Sequence, residues 1–178
     1  MIASVVRDLS GQAAPVETSV AAGPQSAPLG WSETYGRSGQ RLVFKVDSLR
    51  VVDGGWRARI AMANDTTTAY DVGDSRVKLD RSYGLMLFAT GSPSELDRRN
   101  RAGTLPPVRE AVQFKPALPK TLDAGESWAG TISAPGALVA GSWVRVVFGA
   151  LMSVSEKPPS GAPTSVVWIT DHAYQLRD

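Results

Sequence analysis

The side chains able to do chemistry are few, and their spacing decides what they can do. The single histidine, His172, follows Asp171 near the end of the chain. An Asp–His pair can orient a general base, but neighbours on an extended segment point to opposite faces. With no nucleophile placed beside them, the pair reads as structural. Ser75 and Lys78 match a Ser-x-x-Lys spacing, which needs a helical turn to bring amine to hydroxyl, and here they fall on an extended segment. Asn64, Asp65, Asp71, Asp74 and Asp80 gather oxygen donors over a short stretch. Calcium takes six to eight oxygens, yet this spacing matches no EF-hand loop, and Asp is also a common turn residue. Asp71 and Asp74 are therefore weighed as calcium ligands and set aside. Asn64-Asp65-Thr66 fits a glycosylation sequon and is read as an Asn turn contact. No Gly-x-Gly-x-x-Gly, Gly-Lys-Ser/Thr or Gly-x-Ser-x-Gly motif occurs. With no cysteine and one histidine, thiolate zinc sites, iron–sulfur clusters, cysteine nucleophiles and paired-His metal motifs are excluded. No catalytic, cofactor or metal site is assigned, and the chain is read as a non-enzyme.

These residues must be positioned by something, and the rest of the sequence indicates what. The chain has 178 residues, 43% of them hydrophobic, and a formal charge of +2. That is enough apolar surface for one domain with a real core. The charge is too small and too scattered for a nucleic-acid surface. Arg98, Arg99 and Arg101 are the one dense basic run, and Glu95 and Asp97 sit beside them. No stretch approaches the roughly 18 apolar residues of a membrane-spanning helix. The segment 1–8 lacks the basic and longer apolar regions of a signal peptide.

Leu42, Phe44 and Val46 alternate with polar residues, and Leu49 and Val51 continue the pattern after a shift that predicts a bulge. Asp53-Gly54-Gly55 supplies a turn, and Trp56, Ala58, Ile60 and Met62 alternate behind it, which together read as a hairpin. Trp56 is the candidate for central burial. Further strands are predicted at Arg76–Leu79, Tyr83–Phe88, Val108–Phe114, Ser127–Ser133, Ser142–Met152 and Ser165–Leu176. Leu85-Met86-Leu87-Phe88 is apolar without alternation, the mark of a strand covered on both faces. Only Ser94–Arg101 reads as helical. The expectation is an all-β, immunoglobulin-like, two-sheet antiparallel sandwich with one short helical insertion. Residues 31–178 would form the sandwich. Residues 1–30, rich in Ala, Pro, Ser and Gly between Ser10 and Gly30, would be an extended arm docked on a neighbouring chain.

Two segments carry a resemblance. Trp56-Arg-Ala-Arg-Ile-Ala-Met-Ala-Asn64-Asp-Thr-Thr resembles the second strand of bacterial cell-envelope immunoglobulin-like sandwiches of the secreted and lipoprotein type. Leu122-Asp-Ala-Gly125-Glu126-Ser127-Trp128-Ala-Gly130-Thr-Ile resembles the turn and late strand of the same domains, and Trp143–Phe148 the strand that follows. The resemblance implies an extracytoplasmic location and a non-catalytic role as an accessory or structural subunit. The chain departs from the lipoprotein version in having no lipid-accepting Cys, and Gly91–Pro107 is longer than a simple hairpin loop.

Large apolar groups lie on both faces of the two late strands. One face must be core, and the other needs cover from the arm, a loop or a partner. Trp143, Val147, Val166 and Trp168 are expected to form a partner-binding surface, for another protein subunit or for self-association. The alternative is a carbohydrate-binding module that stacks sugar rings on exposed members of its five tryptophans.

Overall fold

A computed structural model describes residues 18–72 and 83–178. In chain order its elements are β1 (Gln25–Arg37), β2 (Gln40–Val52), β3 (Gly55–Asp65), β4 (Tyr70–Asp71), β5 (Gly84–Phe88), α1 (Pro93–Ala102), β6 (Arg109–Glu110) and β7 (Gln113–Lys115). They continue with β8 (Thr121–Leu122), β9 (Ser127–Pro135), β10 (Trp143–Ser153), β11 (Ser165–Ile169) and β12 (Tyr174–Gln175). One antiparallel sheet runs β1-β2-β3-β9-β7. The other runs β6-β5-β10-β4-β8, with β11 and β12 also paired to β10. The chain is an all-β, two-sheet sandwich. Among the described residues no helix is long and apolar enough to cross a membrane.

Local pattern accounts for the first sheet. The β2–β3 hairpin closes through Asp53 and Gly54, with Val52 paired to Gly55 and Gly54 at φ 71°. Its register shifts between Val46 and Ser48. That bulge lets Leu42, Phe44 and Val46 and then Leu49 and Val51 all face inward, although the two sets differ in parity. Trp56, Ala58, Ile60 and Met62 are at most 2% exposed on the next strand. Phe44 meets Phe148 across the sheets at 5.0 Å between ring centres. Full burial of such a ring contributes roughly 1.5–3 kcal/mol.

Two expected boundaries move. The arm was expected to reach Gly30, but Gln25–Gly30 is the first half of β1, and Gln25, Ser26, Ala27 and Pro28 pair with Val51, Arg50, Leu49 and Ser48. Just before it, Ala22 N–H donates to Leu138 O and Gly23 N–H to Arg177 O, so this stretch lies on its own domain. Backbone pairing needs no large apolar side chains, which is why a linker-like composition still forms a strand. The strand expected over Val108–Phe114 is two short ones. Ala111 N–H donates to Tyr83 O in one sheet and Val112 N–H to Ser133 O in the other, so the chain crosses between sheets there. The expected strand Arg76–Leu79 lies outside the described residues, as do Ser75, Lys78, Asp74 and Asp80.

Two buried polar side chains of the sandwich show how such groups are satisfied. Asn64, fully buried, donates to Thr68 O and Leu122 O and accepts from Thr66 N–H and Oγ1–H, so the sequon residue holds a turn. Tyr83, 4% exposed, donates its hydroxyl to Val72 O at 3.1 Å. Burial pushes this phenol well above the ordinary tyrosine range. Because the folded state holds the proton more tightly, its contribution to stability is complete below about pH 10 and is lost as pH rises beyond it. Unfolding free energies from urea titrations between pH 9 and 12 should fall by up to about 1.4 kcal/mol per pH unit for this group. Tyr83→Phe should flatten that alkaline limb while costing about 1 kcal/mol at neutral pH. An unchanged limb in the variant would refute the assignment.

Candidate ligand-binding cleft

The site grows from the outward face of the central late strand. On β10, Val144, Val146 and Phe148 enter the main core, while Trp143, Arg145 and Val147 face the other way. Met86 and Phe88 of β5 join them on that outer face, opposite Leu85 and Leu87. This double-sided apolar character is what the Leu85–Phe88 run foretold. The outer face needs cover, and α1 supplies it.

That helix has little apolar surface of its own, so its ends and anchors decide its position. Pro93 occupies the first turn with Glu95, and Arg99 and Arg101 stand in the last turn, all favourable at those ends. Gly103, at φ 66°, ends it, with Thr104 N–H donating back to Arg99 O. Glu95 is buried and accepts from Thr90 N–H, Thr90 Oγ1–H and Arg99 Nε–H. The Thr90 hydroxyl chiefly holds its carboxyl below the usual carboxylate range, Arg99 adding to the effect. Leu96 turns inward to join Met86, Phe88 and Val147 in a second apolar cluster, with Leu105, Val108, Trp143 and Ile169 packed around it. Gly91 lets the chain pass directly over the Trp143 ring, where a Cβ would collide.

Arg145 fastens this cover. It is fully buried near the start of β10, with its guanidinium 5.3 Å from the Phe88 ring centre. Nη1 donates to Thr170 O at 2.7 Å and to Asp171 O, and Nη2 to Gly91 O and Ser92 O at 3.1 and 3.0 Å. One side chain thereby joins the loop before α1 to the turn after β11. Its Nε is buried without an acceptor. Burial works against the guanidinium charge, and the carboxylates of Asp171, Glu33, Glu95 and Asp97 offset part of that cost.

A second hub lies on β1. The Glu33 carboxylate is 8% exposed and accepts from Trp168 Nε1–H at 2.8 Å, Asp171 N–H at 2.9 Å and His172 N–H at 3.0 Å. His172 Nδ1 lies 2.7 Å from the same carboxylate, and the imidazole stacks on Trp31. The Asp171–His172 pair is thus held through its backbone, and its histidine braces a carboxylate.

Between α1, β5, β10 and β11 these anchors leave a cleft of about 420 Å³. Met86 and Val147 form its buried base, and Leu96, Leu105, Val108 and Ile169 its walls. Val167, 39% exposed, borders it from β11, with Trp168 beside it. Asp97 and Asn100 of α1 and Asp171 supply its polar groups. Loss of solvation, reinforced by the Glu33 charge, raises the Asp171 carboxyl above its ordinary range.

The four residues expected to form a docking surface do not come together. Register shows why. Phe148 pairs with Trp168 and Leu151 with Val166, and directly paired residues share a face. Val166 and Trp168 therefore pack against the main core, where Trp168 stacks on Phe44 at 5.5 Å. Trp143 and Val147 belong to the opposite face, where Val147 is fully buried. The cover is supplied by the chain's own insertion and by β1. Nor do the tryptophans form an exposed strip: Trp56 and Trp128 are buried, and Trp31, Trp143 and Trp168 are half-buried. Asp71 takes part in β4 pairing, and among the described residues no three His, Cys, Asp or Glu side chains are grouped as metal ligands.

Sequence reasoning missed Glu33, Arg145 and the cleft. A signal existed for Arg145, a lone charge within the apolar run Val144–Phe148. Fold and site together define a β-sandwich with a helix-lidded cleft on one outer face. No protein family, curated protein or solved structure matches the chain.

Proposed function

We propose that this chain is a non-catalytic binding module that works through the cleft beneath α1, as an accessory subunit of an extracytoplasmic assembly. The observation that carries the reading is the cleft itself, an apolar-walled cavity of about 420 Å³ on a second hydrophobic cluster separate from the sandwich core. Cavities of this size with apolar walls and a few polar groups suit small ligands. The chain's one imidazole and its two buried hubs, Glu33 and Arg145, support a non-catalytic role, since their hydrogen bonds go to holding turns together. The envelope-type segments Trp56–Thr67 and Leu122–Ile132 support the location. Protein partners would then meet the module at its surface, away from Trp143, Val147, Val166 and Trp168.

The test is titration with a neutral apolar dye such as Nile red. The native chain should bind one equivalent saturably. Val167→Trp, at a half-open position beside the cleft, should weaken binding at least fivefold with little change in Tm. Dye binding that is non-saturable, or indifferent to this substitution, would overturn the reading.

A further inference from the structure

We infer that the cleft selects cationic amphiphiles, small molecules with an apolar body and a protonated amine. The inference rests on the reading of the cleft as the working surface and adds the charge of its ligand. Aliphatic side chains make up most of the lining, which suits an apolar body, and polar groups make up the rest. Polar recognition comes from Asp97 on α1 and Asp171 in the turn after β11, with Asn100 beside Asp97 one turn along α1. Among the described residues the close ion pairs are Arg59–Asp47 and Arg99–Glu95, and His172 Nδ1 contacts the Glu33 carboxylate. Asp97 and Asp171 stand in none of these close pairs. Asp171 feels the charge of Arg145, but the carboxylates of Glu33 and Asp97 act against its own, so an added cation would relieve that repulsion.

The cations nearby do not reverse this preference. Arg145 has committed its Nη hydrogens to four carbonyls, and its Nε is sealed from solvent. It cannot reach an anionic headgroup, and it sits among the carboxylates of Asp171, Glu33, Glu95 and Asp97. Arg99 is held by Glu95. Arg98 and Arg101 line a neighbouring depression on α1 with Ser94 and Asp97, so Asp97 borders both it and the cleft. An anion entering the cleft would meet two carboxylates, with the neutral Asn100 amide as the side-chain donor beside them. An ammonium would gain charge-assisted hydrogen bonds in a partly desolvated site.

Three probes with the same eight-carbon body separate charge from apolar fit: octylamine, octanol and octanoate. They would be titrated calorimetrically into the intact chain at neutral pH and low ionic strength. Octylamine should bind at least tenfold more tightly than octanol, and octanoate at least tenfold more weakly than octanol. The double variant Asp97→Asn, Asp171→Asn, read well below its own Tm because both carboxylates also support Arg145, should bring octylamine within about twofold of octanol and leave octanol unchanged. Raising the salt to 0.15 M should weaken only octylamine. If octylamine and octanol bind alike, and Val167→Trp weakens both, charge selection is overturned while the cleft stands as a binding site. If none of the three binds, the inference and the functional reading fall together.

Discussion

Replacing Arg145 with alanine is expected to lower the unfolding free energy by about 3–4 kcal/mol, a large share of a typical domain's stability. The guanidinium is desolvated, so its net value is far below the sum of its bonds. Removing it is costly for what it leaves behind. Thr170 O sits at a position 1% exposed and would lose its Nη1 donor. A buried carbonyl left unpaired costs about 1–3 kcal/mol. Asp171, Gly91 and Ser92 lose the same donor group, and the vacated stem leaves a void beside Phe88. Arg145→Lys keeps the charge but offers one ammonium where two nitrogens span two loops, so it should recover less than half of the loss. Hydrogen exchange locates the effect. Amides of Glu95–Asn100 should lose protection in Arg145→Ala before those of Trp56–Met62, because the clamp holds the helix and not the main core. A loss below 1 kcal/mol, or uniform exchange across both segments, would show that α1 is held by its apolar contacts alone.

The same residue shows where sequence reading succeeds and where it stops. Alternation of period two is a local signal, so the Leu42–Met62 hairpin, its bulge and the burial of Trp56 could be read from adjacent residues. The helix was legible within a residue at each end, expected at Ser94–Arg101 and found at Pro93–Ala102. So was the double-sided character of Leu85–Phe88. What could not be read is the pairing of one strand with another. Whether Trp168 lies on the side of Val147 or of Phe148 depends on the β10–β11 register, which itself shifts between Phe148 and Leu151. A shift of one residue moves every side chain to the other face. On that point the four residues expected to form one surface divide between two faces.

Long-range satisfaction of polar groups was equally hidden. Glu33 and His172 meet across 139 positions, and no spacing rule links them. The Gly91–Pro107 segment stood out as too long for a hairpin loop. Its role as a lid follows only once Met86, Phe88 and Val147 are seen to need cover. The arm misled for a different reason: strand pairing of Gln25–Pro28 depends on β2 presenting a free edge, and composition carries no trace of that edge.

Glu33→Ala is expected to cost about 3 kcal/mol, while His172→Ala costs no more than about 1 kcal/mol. The two are partners in one close contact, so the asymmetry is diagnostic. The imidazole is 56% exposed and the carboxylate 7%. Without the imidazole, the carboxylate still accepts from the indole of Trp168 and the amides of Asp171 and His172. Without the carboxylate, three N–H groups lose their acceptor in a place water reaches poorly. Glu33→Gln should fall between, because one of its two terminal groups becomes a donor facing donors. The loss should also pass to the cleft, since Glu33 holds the backbone of Asp171, whose side chain lines it. Octylamine should therefore bind Glu33→Ala several-fold more weakly at temperatures well below its Tm, and His172→Ala nearly as the native chain does. Equal stability losses in the two variants would mean that the Trp31–His172 stack, and not the carboxylate, anchors the turn after β11.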